Sequence, residues 1–255
     1  MSIKAFRRYE KKYILTKNQF EILICELEKR MDFDMYCQDC SSYSIYNIYL
    51  DTLNNDVIRE CVNYPEYKEK MRIRSYKKVK ENDIVFLELK RKINGITTKR
   101  RVPLTYKEAK EFINGKDIEK ESYIEKQIIK EMKYYLINHP VVFSTYLSYE
   151  RIALFGKQDK TFRITFDKNI TTRRDNINLS DDYGQKLIDD DQYIMEIKID
   201  KAIPLWLVEK LSELKIFSTS FSKYGQEYKT NIVNTYQKNK WFEKEGSVYL
   251  NGWYI

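Results

Sequence analysis

The chain has 255 residues, 46 Lys and Arg against 38 Asp and Glu, and a formal net charge of +8. An apolar share of 42%, with 15% aromatic, excludes wholesale disorder, and the length suffices for one large barrel or two small domains. The positive surplus points to anionic partners, but Lys, Ile, Asn and Tyr also have AT-rich codons, so where the bases sit matters more than their number.

The first residues, Met1 to Arg8, run straight into charge without an apolar leader, and no segment approaches the ~18 apolar residues of a membrane span. A cytoplasmic protein with no membrane segment of its own is expected. Seven Gly and four Pro leave little room for a linker, so the expectation is one domain, 1–226, followed by a C-terminal helical extension, 227–255, packing on it. Cys37 and Cys40 have the spacing of half a zinc site, but no second pair completes it, and they read as reduced loop thiols. His139, the one histidine, precedes Pro140 and reads as a cap or turn. No P-loop or G-x-G-x-x-G motif is present.

In chain order, two-residue alternation predicts a strand over Phe6–Leu15, and helical spacing follows over Lys17–Met31. Ser44–Asp51 is a strand rich in β-branched and aromatic residues. A meander follows: Glu69–Tyr76, Val85–Lys92 and, after the hairpin signal Asn94-Gly95, Ile96–Val102. Helices are predicted over Thr105–Asn114 and Tyr123–Asn138, strands over Ser144–Leu154, Phe162–Asp167 and Gln192–Ile199, and a helix over Ile203–Leu214. Ser218–Lys223 is a turn, and Glu227–Phe242 an amphipathic segment. The fold class is α+β, with antiparallel strands and helices inserted between hairpins.

Half-buried strands ordinarily place mixed polar residues on their outer face. Here that face is mostly basic: Arg8 and Lys12, Arg72 and Arg74, Lys90 and Lys92, Lys99 and Arg101, Arg151, Arg163, Lys198. Acids are sparse there, as Glu10, Glu88, Asp167 and Glu196. A closed barrel with these faces inward lines a channel with mutually repelling cations, tolerable only when the channel is wet or an anion fills it. A linear phosphate chain matches a rod of cations, with Arg taking two oxygens and Lys acting as a point charge. Glu196, with Glu10, would hold a divalent metal against phosphate oxygens.

Arg8-Tyr9-Glu10-Lys11-Lys12-Tyr13, Tyr46 to Thr52, Arg72-Ile73-Arg74-Ser75-Tyr76, Leu87-Glu88-Leu89-Lys90, Tyr149 to Ala153, Phe162 to Asp167, Met195-Glu196-Ile197-Lys198 and Ser222-Lys223-Tyr224 stand in this order. Together they resemble the successive strands of the VTC-type polyphosphate polymerase domain, one of the triphosphate tunnel metalloenzymes or CYTH-like proteins. The resemblance spans roughly residues 5 to 225. It implies a closed eight-stranded antiparallel β-barrel, a tunnel, in which the γ-phosphate of ATP passes onto a growing polyphosphate chain. It also implies that Lys12, Arg72, Arg74, Lys90, Arg151, Arg163 and Lys223 are phosphate ligands and that Glu196 holds Mn2+ or Mg2+. Arg8 stands where the wider superfamily has an acidic residue, which favours the polymerase over a two-metal triphosphatase.

The expected catalytic groups are Arg72, Arg74 and Arg151 clamping the triphosphate and Lys223, beside Ser222, stabilising the attacking or leaving oxygens. Arg8, Lys99, Arg101, Lys198 and Ser222 join the phosphate-binding set. The expected partners are ATP, triphosphate and polyphosphate, not nucleic acid, because most of the 22 Tyr fall opposite the bases. Two alternatives share the scaffold: a metal-dependent triphosphatase, and a non-catalytic module binding polyphosphate or another polyanion.

Overall fold

The computed structural model describes residues 9–37, 40–64, 66–94, 96–200 and 202–233. Its strands are β1 (Tyr9–Thr16), β2 (Met31–Phe33), β3 (Tyr43–Asp51), β4 (Tyr67–Ser75), β5 (Ile84–Ile93), β6 (Ile96–Thr105), β7 (Val142–Gly156), β8 (Arg163–Arg173), β9 (Gln185–Lys186), β10 (Gln192–Ile199) and β11 (Ser218–Thr219). Its helices are α1 (Lys17–Glu28), α2 (Asp56–Asn63), α3 (Tyr106–Ile113), α4 (Tyr123–Asn138), α5 (Leu205–Glu213) and α6 (Lys223–Tyr228). Two compact units divide the chain, Met1–Ser220 and Phe221–Ile255. The first holds every strand found among the described residues. The second opens with α6 and a short π-helical turn, Lys229–Val233.

All eleven strands belong to one antiparallel sheet, whose main path runs β11-β1-β10-β8-β7-β3-β4-β5-β6. The closed eight-stranded barrel is therefore not what the chain forms. Closure needs β6 to pair with β1, but the outer edge of β1 is taken at Lys12 and Tyr13 by β11, and β6 has β5 as its strand neighbour. The sheet is open but rolled. Glu10 on β1 comes within 4.0 Å of Lys90 on β5, though the two strands are far apart in the sheet order.

Strand parity decides which side is core. Tyr13 and Leu15 of β1, Ile164 and Phe166 of β8, and Tyr193, Met195 and Ile197 of β10 pack against Phe20, Leu23 and Leu27 of α1 and against Leu207 and Leu211 of α5. Ile73 of β4, Leu87 of β5 and Val102 of β6 pack with Phe112 of α3 and Met132 of α4. The helices thus cover the outer, apolar face, leaving the residues of opposite parity on the inner one.

Two strands hand the chain to helices through the residue that ends them. Thr16 closes β1 and caps α1, accepting from the Gln19 amide at 3.3 Å while the Gln19 side chain accepts from the Thr16 amide at 2.9 Å. Thr105 closes β6 and caps α3 with Glu108 in the same reciprocal way. The Asn94 turn has the left-handed φ of 47° that a two-residue hairpin requires, and Ile93 pairs with Ile96 across it. His139 is the C-cap of α4, its amide donating to the Tyr135 carbonyl. All four cysteines are free.

Candidate functional site

The inner face is organised around carboxylates that are outnumbered by the cations about them: the buried Glu88 and Asp167 and the half-buried Glu196. Glu88 on β5 is 1% exposed. Register places Arg72 of β4 and Arg101 of β6 directly opposite it. The Arg72 guanidinium donates to Oε2 from Nε at 2.9 Å and lies 2.8 Å from it through a second nitrogen. Lys99 Nζ is 2.6 Å from Oε1, Arg101 Nε 3.5 Å from Oε1, and Arg74 Nε 3.9 Å from Oε2. Burial pushes this carboxyl up, but Arg72, Arg74 and Lys99 outweigh it and bring it down to about 2. One fixed anion therefore serves four cations and leaves the cluster positive.

Neutral side chains of β3 and β7 aim these arginines. Asn47 accepts from Arg74 Nε at 2.9 Å, and its own amide is pinned by donation to the Leu147 carbonyl. The Tyr149 hydroxyl accepts from Arg74 at 3.1 Å, and the Tyr49 hydroxyl from Arg72 at 2.9 Å. Burial raises the Tyr49 phenol, yet Arg72, Arg74 and Lys70 overcome it and leave the group at about 8. Burial beside Arg74 and Arg72 brings Lys99 down to about 8 despite Glu88.

The second centre is a checkerboard on β1 and β10. Glu10 pairs across strands with Lys198, and Lys12 with Glu196. Along each strand the signs alternate again, with Lys12 Nζ 3.2 Å from Glu10 and Lys198 Nζ 2.5 Å from Glu196. Burial alone would raise Glu196; Lys198, Lys12 and Arg151 instead hold it well below the usual carboxylate range. Burial opposes the charge on Lys12, but Glu10 and Glu196 outweigh it and lift its pKa. Lys90 reaches this group from β5, its pKa lowered by burial and by Lys198 and Lys12.

Arg151 on β7 clamps the buried Asp167 of β8 in a two-pronged ion pair, 2.6 and 2.8 Å. Arg163 begins β8 with its guanidinium 4.8 Å from the Phe155 ring and 3.4 Å from Asp34. Its Nε is buried and lacks a hydrogen-bond partner among the described residues, as do Arg101 Nε and the Thr165 hydroxyl, which sits opposite Glu196.

The inner face thus assembles Lys12, Arg72, Arg74, Lys90, Lys99, Arg101, Arg151, Arg163, Lys198, Glu10 and Glu196. Lys99 and Arg101, whose choice alternation left open, both reach Glu88. Ser222 and Lys223 open α6 in the second unit, and Arg8 lies outside the described residues. Sequence reasoning missed Asn47 and Tyr49, although their shared parity with Asp51 on β3 was the available signal. A separate cavity of about 440 Å³, lined by Thr52, Asp56, Glu60 and His139 among others, contains none of these bases.

Residues 7–232 match the VTC domain. The chain belongs to the VTC domain family. Membership supports a function related to nucleotide triphosphates or polyphosphate, of the triphosphate-tunnel type. No curated protein matches the chain. Solved structures with similarity to this VTC domain include a proposed adenylate cyclase from Bacillus halodurans, at 15% identity and a TM-score of 0.49, covering 84% of this chain and 92% of that one. Another is the Schizosaccharomyces pombe Mediator head module, at 11% identity and a TM-score of 0.41, covering 82% and 90%. Neither likeness bears on activity.

Divalent metals are general in the tunnel metalloenzymes. Among the described residues no three His, Cys, Asp or Glu side chains cluster as a complete ligand set. Glu196 and Glu10 lie diagonally across β1 and β10 instead. A pair of carboxylates with phosphate oxygens and water completing the shell suits Mg2+ or Mn2+, so these donors fit a metal that arrives with its triphosphate.

Proposed function

We propose that the inner face binds ATP and polyphosphate and transfers the ATP γ-phosphate onto a growing polyphosphate chain. The observation that carries this reading is the convergence of cations from β1, β4 to β8 and β10 on one rolled face, where they outnumber the carboxylates they pair with. Such a face has unbalanced positive charge spread along a line, which suits a chain of phosphates better than a compact anion.

Arg72, Arg74 and Arg151 are held at fixed angles by Glu88, Asn47, Tyr149 and Asp167, so they need little reorganisation to clamp a triphosphate. Lys12, Lys90 and Lys198 offer point charges further along, beside Glu196 and Glu10, the residues that would hold Mn2+ or Mg2+. Bound there, the metal supplies neutralisation of charge building at the β/γ bridge. The terminal phosphate of an acceptor chain is already anionic, so in-line attack needs no strong general base.

The test is incubation with ATP and Mn2+, with the phosphate products resolved on a gel. A ladder of polymer that Glu196→Gln abolishes is the expected result. Orthophosphate without polymer would replace the polymerase with a triphosphatase. Tripolyphosphate binding without turnover would leave a polyanion-binding module.

A further inference from the structure

At one end of the inner face the cations give way to aromatic rings. Tyr43 opens β3, Tyr76 directly follows β4, Phe86 lies near the start of β5, and Tyr36 stands in the loop after β2. Their rings form a chain: Tyr36 to Tyr43 at 6.1 Å, Tyr43 to Tyr76 at 6.3 Å, Tyr76 to Phe86 at 5.9 Å. Tyr36 is 67% and Tyr76 42% exposed, so both rings are open to solvent at this rim.

Arg101 ties this rim to the charged cluster. Its guanidinium lies 3.5 Å from the Phe86 ring centre, one nitrogen donates to the Tyr76 hydroxyl at 3.1 Å, and Nε lies 3.5 Å from Glu88. On the other flank, Tyr43 is paired across strands with Arg151 and feels the charges of Arg151 and Arg163. Arg74, cross-strand partner of Phe86, lies between these flanks in the sheet. Exposed rings thus adjoin arginines, two of which, Arg101 and Arg163, carry a buried Nε without a hydrogen-bond partner among the described residues.

We propose that this rim is a nucleobase platform: a nucleoside triphosphate binds with its phosphates on Arg74, Arg101 and Arg151 and its base stacked on Tyr76 and Tyr36. A base offers a flat π-face and brings its own anion on a short tether, which is what exposed tyrosines beside arginines accommodate. Inorganic polyphosphate has nothing to place there. The rim therefore distinguishes the nucleotide donor from the polymer, and the inference rests on the phosphate-binding reading of the face.

Titration calorimetry with β,γ-imido ATP and with inorganic tripolyphosphate tests both, on the wild-type chain, Tyr76→Leu, Tyr76→Phe and Tyr36→Ala. The nucleotide is expected to bind more tightly than tripolyphosphate. Tyr76→Leu should weaken the nucleotide about tenfold, on the scale of one lost base–aromatic stack, and leave tripolyphosphate within about twofold. Tyr76→Phe should keep the nucleotide affinity, and Tyr36→Ala should lower it alone. Equal loss of both ligands in Tyr76→Leu, or loss of neither, overturns the platform, as does a wild-type protein that prefers tripolyphosphate. A wild-type protein that binds neither ligand overturns the phosphate-binding reading, and the platform with it.

Discussion

Glu10 and Lys90 meet at 4.0 Å across the inside of the rolled sheet, although β10, β8, β7, β3 and β4 all intervene between their strands. This side-chain contact spans a gap that no strand pairing among the described residues bridges. Both partners are partly exposed, so the pair contributes little stability, on the order of 0–1 kcal/mol. Lys90→Ala should leave the melting temperature nearly unchanged while weakening tripolyphosphate roughly tenfold, the scale of one lost charge contact. Calorimetry beside a thermal melt separates the two effects.

Arg74 should behave differently because it is buried. Removing it takes one hydrogen-bond donor from each of Asn47 and Tyr149 and one cation from Glu88. Arg74→Ala is expected to cost about 3–5 kcal/mol in urea unfolding, as for a broken buried pair. Adding Glu88→Gln to that variant should recover part of the loss, whereas simple additivity would mean that the two residues are not coupled.

Glu88 also sets an acid limit. Its folded value of about 2 lies below the ordinary 4.5, so its stabilisation is fully present above pH 4.5 and disappears as the pH falls through 2. Across that window the wild type should lose more stability than Glu88→Gln, as followed by circular dichroism.

At the alkaline end, affinity rather than stability is the readout. Lys99 loses its positive charge and Tyr49 gains a negative one as pH rises through about 8. The first removes an attraction for phosphate and the second adds a repulsion, so tripolyphosphate affinity should fall between pH 7 and 9, roughly tenfold for each charge. Lys99→Arg and Tyr49→Phe should each reduce the fall. An unchanged profile in both would remove these groups from the binding face.

Glu196→Gln should separate binding from turnover. With EDTA present the variant should bind tripolyphosphate at least as tightly as wild type, because a carboxylate has left a cationic face. With Mn2+ its turnover of ATP should drop by at least about a hundredfold, as expected when a metal's anchoring carboxylate is lost. Weaker binding in EDTA would make Glu196 a structural counter-ion for Lys12 and Lys198.

Local periodicity made much of the sheet legible before its coordinates. α4 and β10 have the bounds that the pattern predicts, and Arg72, Arg74, Lys99 and Arg101 share the face that alternation assigns them. Closure was not legible, because it depends on which strand reaches the edge of β1, and the two-residue β11 leaves almost no periodic trace. α2 escaped notice because much of its start is organised from outside: Asp51, at the end of β3, accepts from the Val57 and Ile58 amides. Tyr49 and Tyr149 are exceptions to the expectation that most tyrosines fall opposite the bases. There the hydroxyl, rather than the ring, decides the side, since each accepts from an arginine.

The open path of the sheet changes how a long polymer would be held. A sealed ring of strands captures its contents topologically, and a chain threaded through it leaves only by an end. A rolled sheet spanned by an exposed ion pair at 4.0 Å works more like a clasp. A bound chain could lift off sideways once enough individual contacts let go together, without being drawn through. Dwell time would then follow the number of contacts and the ionic strength, which screens each of them, rather than the length of the polymer still to pass.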